Sequence, residues 1–227
     1  MRPSNRLFVG LVMIPPMIFP SDWVKTHQEW RDTVAAKREA SSLIESLHTT
    51  LLAADSATLT LDKWCEDHHL ATPTKIYAEV ARGAFKPLPA EVRKTLRIKP
   101  NETVGYRRVK LRCGPYVLSE ADNWYLPKFL TRQANASLEN TDIAFGRAVQ
   151  SLQFHRQTLS SKLLWAPLSR GWEMHERNNA SDDGRLEIPP DLFRHEAVLI
   201  LPSGTPFSYV IETYKSDLLA FRGSQRP

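Results

Sequence analysis

Apolar positions in the first half of the chain repeat with a helical period. Val34, Leu43, Ile44, Leu47, Leu51 and Leu52, downstream of Trp30, predict one helix of roughly six turns. Asp55-Ser56 offers caps for a second helix carrying Leu59, Leu61, Trp64 and Cys65. Thr72-Pro73 pairs a capping residue with proline at the first helical position and predicts a third helix through Ile76, Tyr77 and Val80, ended by Gly83. Pro87 to Pro100 reads as a linker holding one short helix around Val92 and Leu96.

After Pro100 the period changes. Residues 104–113 and 116–126 alternate or run apolar, with β-branched and aromatic side chains, and Gly114-Pro115 turns between them: a hairpin. Thr141 and Asp142 cap a short helix over 141–149. Residues 151–159 and 161–168 read as two more strands. Segment 169–187, rich in Gly, Asn, Asp and Ser, reads as a surface loop. A final hairpin joins 195–201 to 206–214 through Pro202-Ser-Gly-Thr205. Helices followed by hairpins predict an α+β fold, with the N-terminal helices on one face of a mainly antiparallel sheet. Residues 26–221 form one domain in this reading. Residues 222–227 are a tail.

Composition narrows the function. At 227 residues, with 42% hydrophobic and 24% charged residues, the chain can bury a substantial core. Its 30 Lys and Arg against 25 Asp and Glu leave +5, spread without a basic block, which argues against nucleic acid as a partner. Two cysteines, Cys65 and Cys113, are too few for a disulfide framework or a zinc cluster. They read as small buried hydrophobes, or as one disulfide if the chain is exported. Arg2 and Arg6 before Leu7–Ile14 resemble the start of a signal peptide, yet Pro15-Pro16 interrupts the run and no small-x-small site follows. Residues 1–25 are thus either a signal peptide or a flexible N-terminus. Stable membrane insertion is not expected from so short an apolar run.

The candidate chemistry lies on the strands. Arg108 shares a face with Tyr106, Lys110 and Arg112, opposite Val109, Leu111 and Cys113. Such a face is either solvated or a wall for carboxylates, whose two oxygens match the guanidinium fork. Glu212 sits among Phe207, Tyr209, Val210 and Ile211, and is either edge-exposed or held in a pocket where it handles a hydroxyl or a proton. Gly146, after Phe145, allows close backbone approach, and an N–H beside it suits a carboxylate oxygen. His68-His69 near Cys65 and Asp67 points in divergent directions on a helix and makes no metal site. His155, His175 and His195 have no carboxylate at a telling spacing. The helix pair across Leu59–Gly83 imitates a helix-turn-helix, but Lys75, Tyr77 and Glu79 make a poor phosphate-seeking face. The sequence holds no nucleophile elbow, P-loop or dinucleotide-binding glycine turn.

Tyr106–Cys113, Thr141-Asp-Ile-Ala-Phe-Gly-Arg147 and the strand around Glu212 resemble, in order, landmarks of the chorismate pyruvate-lyase family. That family makes 4-hydroxybenzoate for ubiquinone synthesis and shares its fold with the effector-binding domains of GntR-type regulators. The resemblance covers residues 43–221. It implies a cofactor-free, metal-free lyase, expected as a monomer, that eliminates pyruvate from chorismate. By position, Arg108 corresponds to the arginine gripping the ring carboxylate, and Phe145 and Gly146 to the turn whose N–H assists it. Glu212 corresponds to the acid at the 4-hydroxyl, and Ala57 to an apolar residue lining the pocket. The family's second arginine is replaced by Asn123, and its usual leucine by Phe145. The alternative on the same fold is a non-catalytic binding protein for a small aromatic acid. A lyase would be cytoplasmic, and a chain exported on residues 1–20 periplasmic.

Overall fold

Thr33 opens α1 (Val34–Ala53) by accepting the Ala36 N–H on its hydroxyl, and Ala36, Ala40, Ile44, Leu47 and Leu51 form its buried stripe. The structure, a computed structural model, describes residues 30–168 and 184–221. The expected signal or N-terminal segment, the tail, His175 and most of the 169–187 loop lie outside the described residues. Ser56 caps α2 (Ala57–Asp67), as its sequence predicts, and α2 buries Ala57, Thr58, Leu61 and Cys65.

The third element departs from expectation. Ile76–Val80 is a strand, β1, with Ile76 and Ala78 buried while Tyr77 and Glu79 face out. Over five residues this two-residue alternation outweighs the cap-and-proline signal before it. Asp62 on α2 holds the strand by accepting the Ile76 N–H at 2.7 Å. The short helix in the linker forms as α3 (Ala90–Thr95).

The hairpin forms as β2 (Gly105–Cys113) and β3 (Tyr116–Tyr125). A helix absent from the sequence reading, α4 (Arg132–Asn140), follows, and Thr141 ends it rather than starting the next one. The helix expected over 141–149 shrinks to α5 (Phe145–Ala148). The two strands expected over 151–168 are one, β4 (His155–Leu163), irregular between Thr158 and Ser160. Residues 150–152 instead form a single 3₁₀ turn. The last hairpin is β5 (Asp191–Ile200) and β6 (Pro206–Lys215).

The six strands make one antiparallel sheet in the order β1-β2-β3-β6-β5-β4. The fold is α+β, as the sequence implies. α1 and α2 cover the inner face through a core that includes Leu51, Leu61, Leu111 and Tyr214. The helices are not confined to that face. Val92, Leu96 and Ile98, in and just after α3, pack with Trp124, Val198 and Tyr209 on the outer face. Around α4 and α5 a third cluster, with Tyr125, Phe145, Phe154 and Phe207, closes one end. No helix among the described residues is long and apolar enough to cross a membrane.

Cys65 and Cys113 form a disulfide, with Cα atoms 6.2 Å apart, and both are fully buried. The bond ties the last turn of α2 to the end of β2 across a sequence separation of 48 residues. Replacing both cysteines by serine should therefore lower the unfolding free energy by about 4 kcal/mol, through the greater freedom of the unfolded chain. Urea titrations of the oxidised protein and the double variant check this.

Candidate functional site

Cross-strand pairing assembles the site in rows. Arg107, Asn123, Val210 and Ala197 lie directly opposite one another across β2, β3, β6 and β5. The next row is Val109, Ala121, Glu212 and His195. Residues paired in this way share a sheet face, and here it is the inner face, beneath the α1–α2 junction. A small cavity, with about 50 Å³ open to the centre of a water molecule, lies between that face, the start of α2 and α5.

Arg107 forms one wall and is 5% exposed. Its Nη1 donates to the Ile143 carbonyl at 3.1 Å, while its Nε and Nη2 are buried with no hydrogen-bond partner among the described residues. Burial lowers its pKa from the ordinary arginine value, yet guanidinium stays protonated in proteins. Asn123, opposite it, accepts a hydrogen bond from Ser208 Oγ on Oδ1 at 2.7 Å.

Glu212 forms another wall. Its Oε2 accepts from Arg156 Nη2 at 2.6 Å and from the Tyr214 hydroxyl at 3.0 Å. Arg156 is committed elsewhere too, with Nη1 donating to the Leu51 carbonyl at 3.0 Å. Burial, the largest single influence on Arg156, opposes its charge, but the Glu212 and Tyr214 fields and the bond to Glu212 together raise its pKa. Burial, followed by the Glu212 charge, holds the Tyr214 hydroxyl well above its ordinary pKa, so it remains a neutral donor.

At the mouth, Gly146 meets the first turn of α2 so closely that a Cβ would stand 2.7 Å from Ser56 Oγ and 3.1 Å from Thr58 Oγ1. Only glycine lets α5 approach there without displacing α2. Asp55 Oδ1 joins the mouth to β4, accepting the Arg156 N–H at 3.0 Å and lying 2.9 Å from His155 Nδ1. His155 thus has a carboxylate partner that no sequence spacing reveals, because Asp55 stands 100 residues away.

Of the residues expected from sequence, Glu212, Phe145, Gly146 and Ala57 line the cavity. Arg108 does not. It is on the outer face, its side chain 56% exposed and 3.9 Å from Glu120. Lys110 and Arg112 beside it pair with Glu79, so this is a solvated, ion-paired face. The arginines of the cavity are Arg107 and Arg156, neither singled out by sequence. For Arg107 the signal was there: it alternates in step with Val109, Leu111 and Cys113, the apolar side of β2. Arg156 carries no such signal, since its strand is an exposed edge and its partner lies 56 residues away.

Next to Glu212, His195 is fully buried, and neither ring nitrogen has a hydrogen-bond partner among the described residues. Burial first, then the charges of Arg156 and His48, lower its pKa to about 3. The unfolded chain takes up that proton near pH 6.5, so the unfolded state binds more protons below it and stability falls with pH. An unfolding free energy about 2 kcal/mol smaller at pH 5 than at pH 7 is expected. His48 and His68, also lowered by burial, act in the same direction. Urea midpoints at the two pH values, with His195→Leu narrowing the difference, check this.

Fold and site together define an antiparallel α+β domain with a buried polar cavity under its helices. No protein-family profile matches the chain. Among solved structures it is similar to the ligand-binding domain of a regulator assigned to the GntR family, from Bordetella bronchiseptica. That likeness has 14% identity and a TM-score of 0.41, covering 67% of this chain and 90% of that one. It is also similar to a GntR-family transcriptional regulator from Enterococcus faecalis, at 12% identity and a TM-score of 0.39, covering 66% and 99%. The uncharacterized protein y4mC of Sinorhizobium fredii is 45% identical over 216 residues, 95% of this chain and 90% of that protein. The chain belongs to the same family as y4mC.

Proposed function

We propose that the chain binds a small single-ring carboxylic acid in the cavity beneath α1 and α2. The carrying observation is Arg107, whose buried Nε and Nη2 form the two-pronged donor of a guanidinium with no acceptor among the described residues. A carboxylate accepts both prongs at once, and the enclosed setting makes that pair stronger than in water. Strand spacing puts the Arg107 and Glu212 backbones about 12 Å apart, two strands across and two residues along. Both side chains line the same cavity, one from each side of the proposed ring. Glu212 then faces the far end of the ligand, where a hydroxyl would donate to its carboxylate. The apolar surfaces of Val109, Leu111, Phe145 and Val210 flank the ring.

A second reading, elimination of pyruvate from chorismate, draws on the Glu212–Tyr214 pair, which sets a proton acceptor and a proton donor side by side at the far end. Calorimetric titration with 4-hydroxybenzoate tests the first reading. Incubation with chorismate and assay of released pyruvate tests the second. Saturable binding without pyruvate supports a binding module, and pyruvate release a lyase. No binding of any benzoate together with no pyruvate release would remove both.

A further inference from the structure

The charges around the cavity do not cancel. Arg156 and Glu212 neutralise each other in a buried pair at 2.6 Å. His195, directly across the β5–β6 ladder from Glu212, is uncharged at neutral pH, its pKa lowered to about 3 chiefly by burial. Tyr214 and Tyr125 are neutral, both pushed up by burial. Asp55 stands at the mouth with its side chain 61% exposed, engaged with His155. Behind Arg107, Asp142 is 64% exposed and faces Arg82. Among the buried groups of the described residues, one positive charge therefore remains over, on Arg107.

Resting on the reading of the cavity as an organic-acid site, we infer that the cavity selects monoanions with an uncharged far end and rejects dianions, with Asn123 and Glu212 setting that rule. A single carboxylate on Arg107 neutralises the cavity. A second one, opposite the first on the ring, meets the Glu212 carboxylate, and the cation beside it among the described residues, Arg156, is already bound to Glu212 and the Leu51 carbonyl. Desolvating an unpaired charge there is costly.

Asn123 is the other half of the rule. It lies directly across the β2–β3 ladder from Arg107, where paired side chains start about 5 Å apart. An acid at that position would satisfy Arg107 permanently. An amide there, with its oxygen held by Ser208, leaves the guanidinium in need of an anion. Chorismate has two carboxylates and falls in the rejected class, so the rule separates the two functional readings.

Three probes of one shape test it by calorimetry: 4-hydroxybenzoate, the dianion terephthalate and the neutral 4-hydroxybenzamide. The native protein should bind 4-hydroxybenzoate and take terephthalate at least about a hundredfold more weakly. Asn123→Asp keeps the shape and the Ser208 bond, so it should fold with an unchanged or higher Tm and lose 4-hydroxybenzoate by about thirtyfold or more. Glu212→Gln should shift preference toward terephthalate by at least about tenfold, the second carboxylate replacing the lost partner of Arg156. Equal binding of terephthalate and 4-hydroxybenzoate by the native protein, or full affinity in folded Asn123→Asp, overturns the charge rule and leaves the site reading standing. Failure of all three probes to bind the native protein overturns the site reading and the rule with it.

Discussion

Arg156→Ala should lower the unfolding free energy by about 3–5 kcal/mol, because it strands the Glu212 carboxylate in a buried position. The Arg156 and Glu212 side chains are only 1% and 7% exposed, so water cannot stand in for the missing guanidinium. The Leu51 carbonyl loses its donor as well, which loosens the end of α1 above the cavity. A urea titration with an unchanged slope and a lower midpoint is the expected result. The double variant Arg156→Met with Glu212→Leu should recover most of the loss, since an apolar pair of similar size avoids burying any charge. A single variant as stable as the native protein would show that the pair does not hold the site together.

Arg107→Ala should weaken 4-hydroxybenzoate binding by two to three orders of magnitude, about 3–4 kcal/mol, while leaving the fold intact. Among the described residues the guanidinium has one hydrogen-bond partner, the Ile143 carbonyl, so few native bonds are lost with it. The ligand, by contrast, loses both prongs of its anchor. Arg108→Ala is the control. Its side chain lies on the opposite face, half exposed beside Glu120, and a surface pair of that kind contributes about 0–1 kcal/mol. Affinity in that variant should stay within about twofold, a change too small to involve a buried charge pair. Calorimetry on the two variants together distinguishes the inner arginine from the outer one.

The architecture was legible where several weak signals agree. The β2–β3 hairpin, the β5–β6 hairpin and the Ser56 cap each combine a turn or cap residue with the matching period, and each is found. β1 was hidden because Thr72-Pro73 imitates a helix start, while the alternation of Ile76 to Val80 spans only five residues. α4 was hidden for a different reason: only Ala134 and Leu138 are buried along it, too sparse a stripe to declare a helix.

The site was legible in part. Glu212 and the Phe145-Gly146 turn stand out as an acid in an apolar strand and a short motif, whereas Ala57 is reached only through the family resemblance. The sequence pattern points one position off, to Arg108, on the face of β2 richest in cations. Inner and outer faces of a strand differ in what they must exclude, and the apolar company of Arg107 marks the inner one. The Arg156–Glu212 pair and the Cys65–Cys113 bond depend on contacts across 56 and 48 residues, which no local pattern encodes.

The most direct measurement is a crystal structure of the protein soaked with 4-hydroxybenzoate. The account predicts one ring in the cavity, its carboxylate oxygens about 2.7–3.1 Å from Arg107 Nε and Nη2 and its hydroxyl against Glu212. A ligand seated on the Arg108 face, or lodged in the cavity with its carboxylate turned away from Arg107, would contradict it.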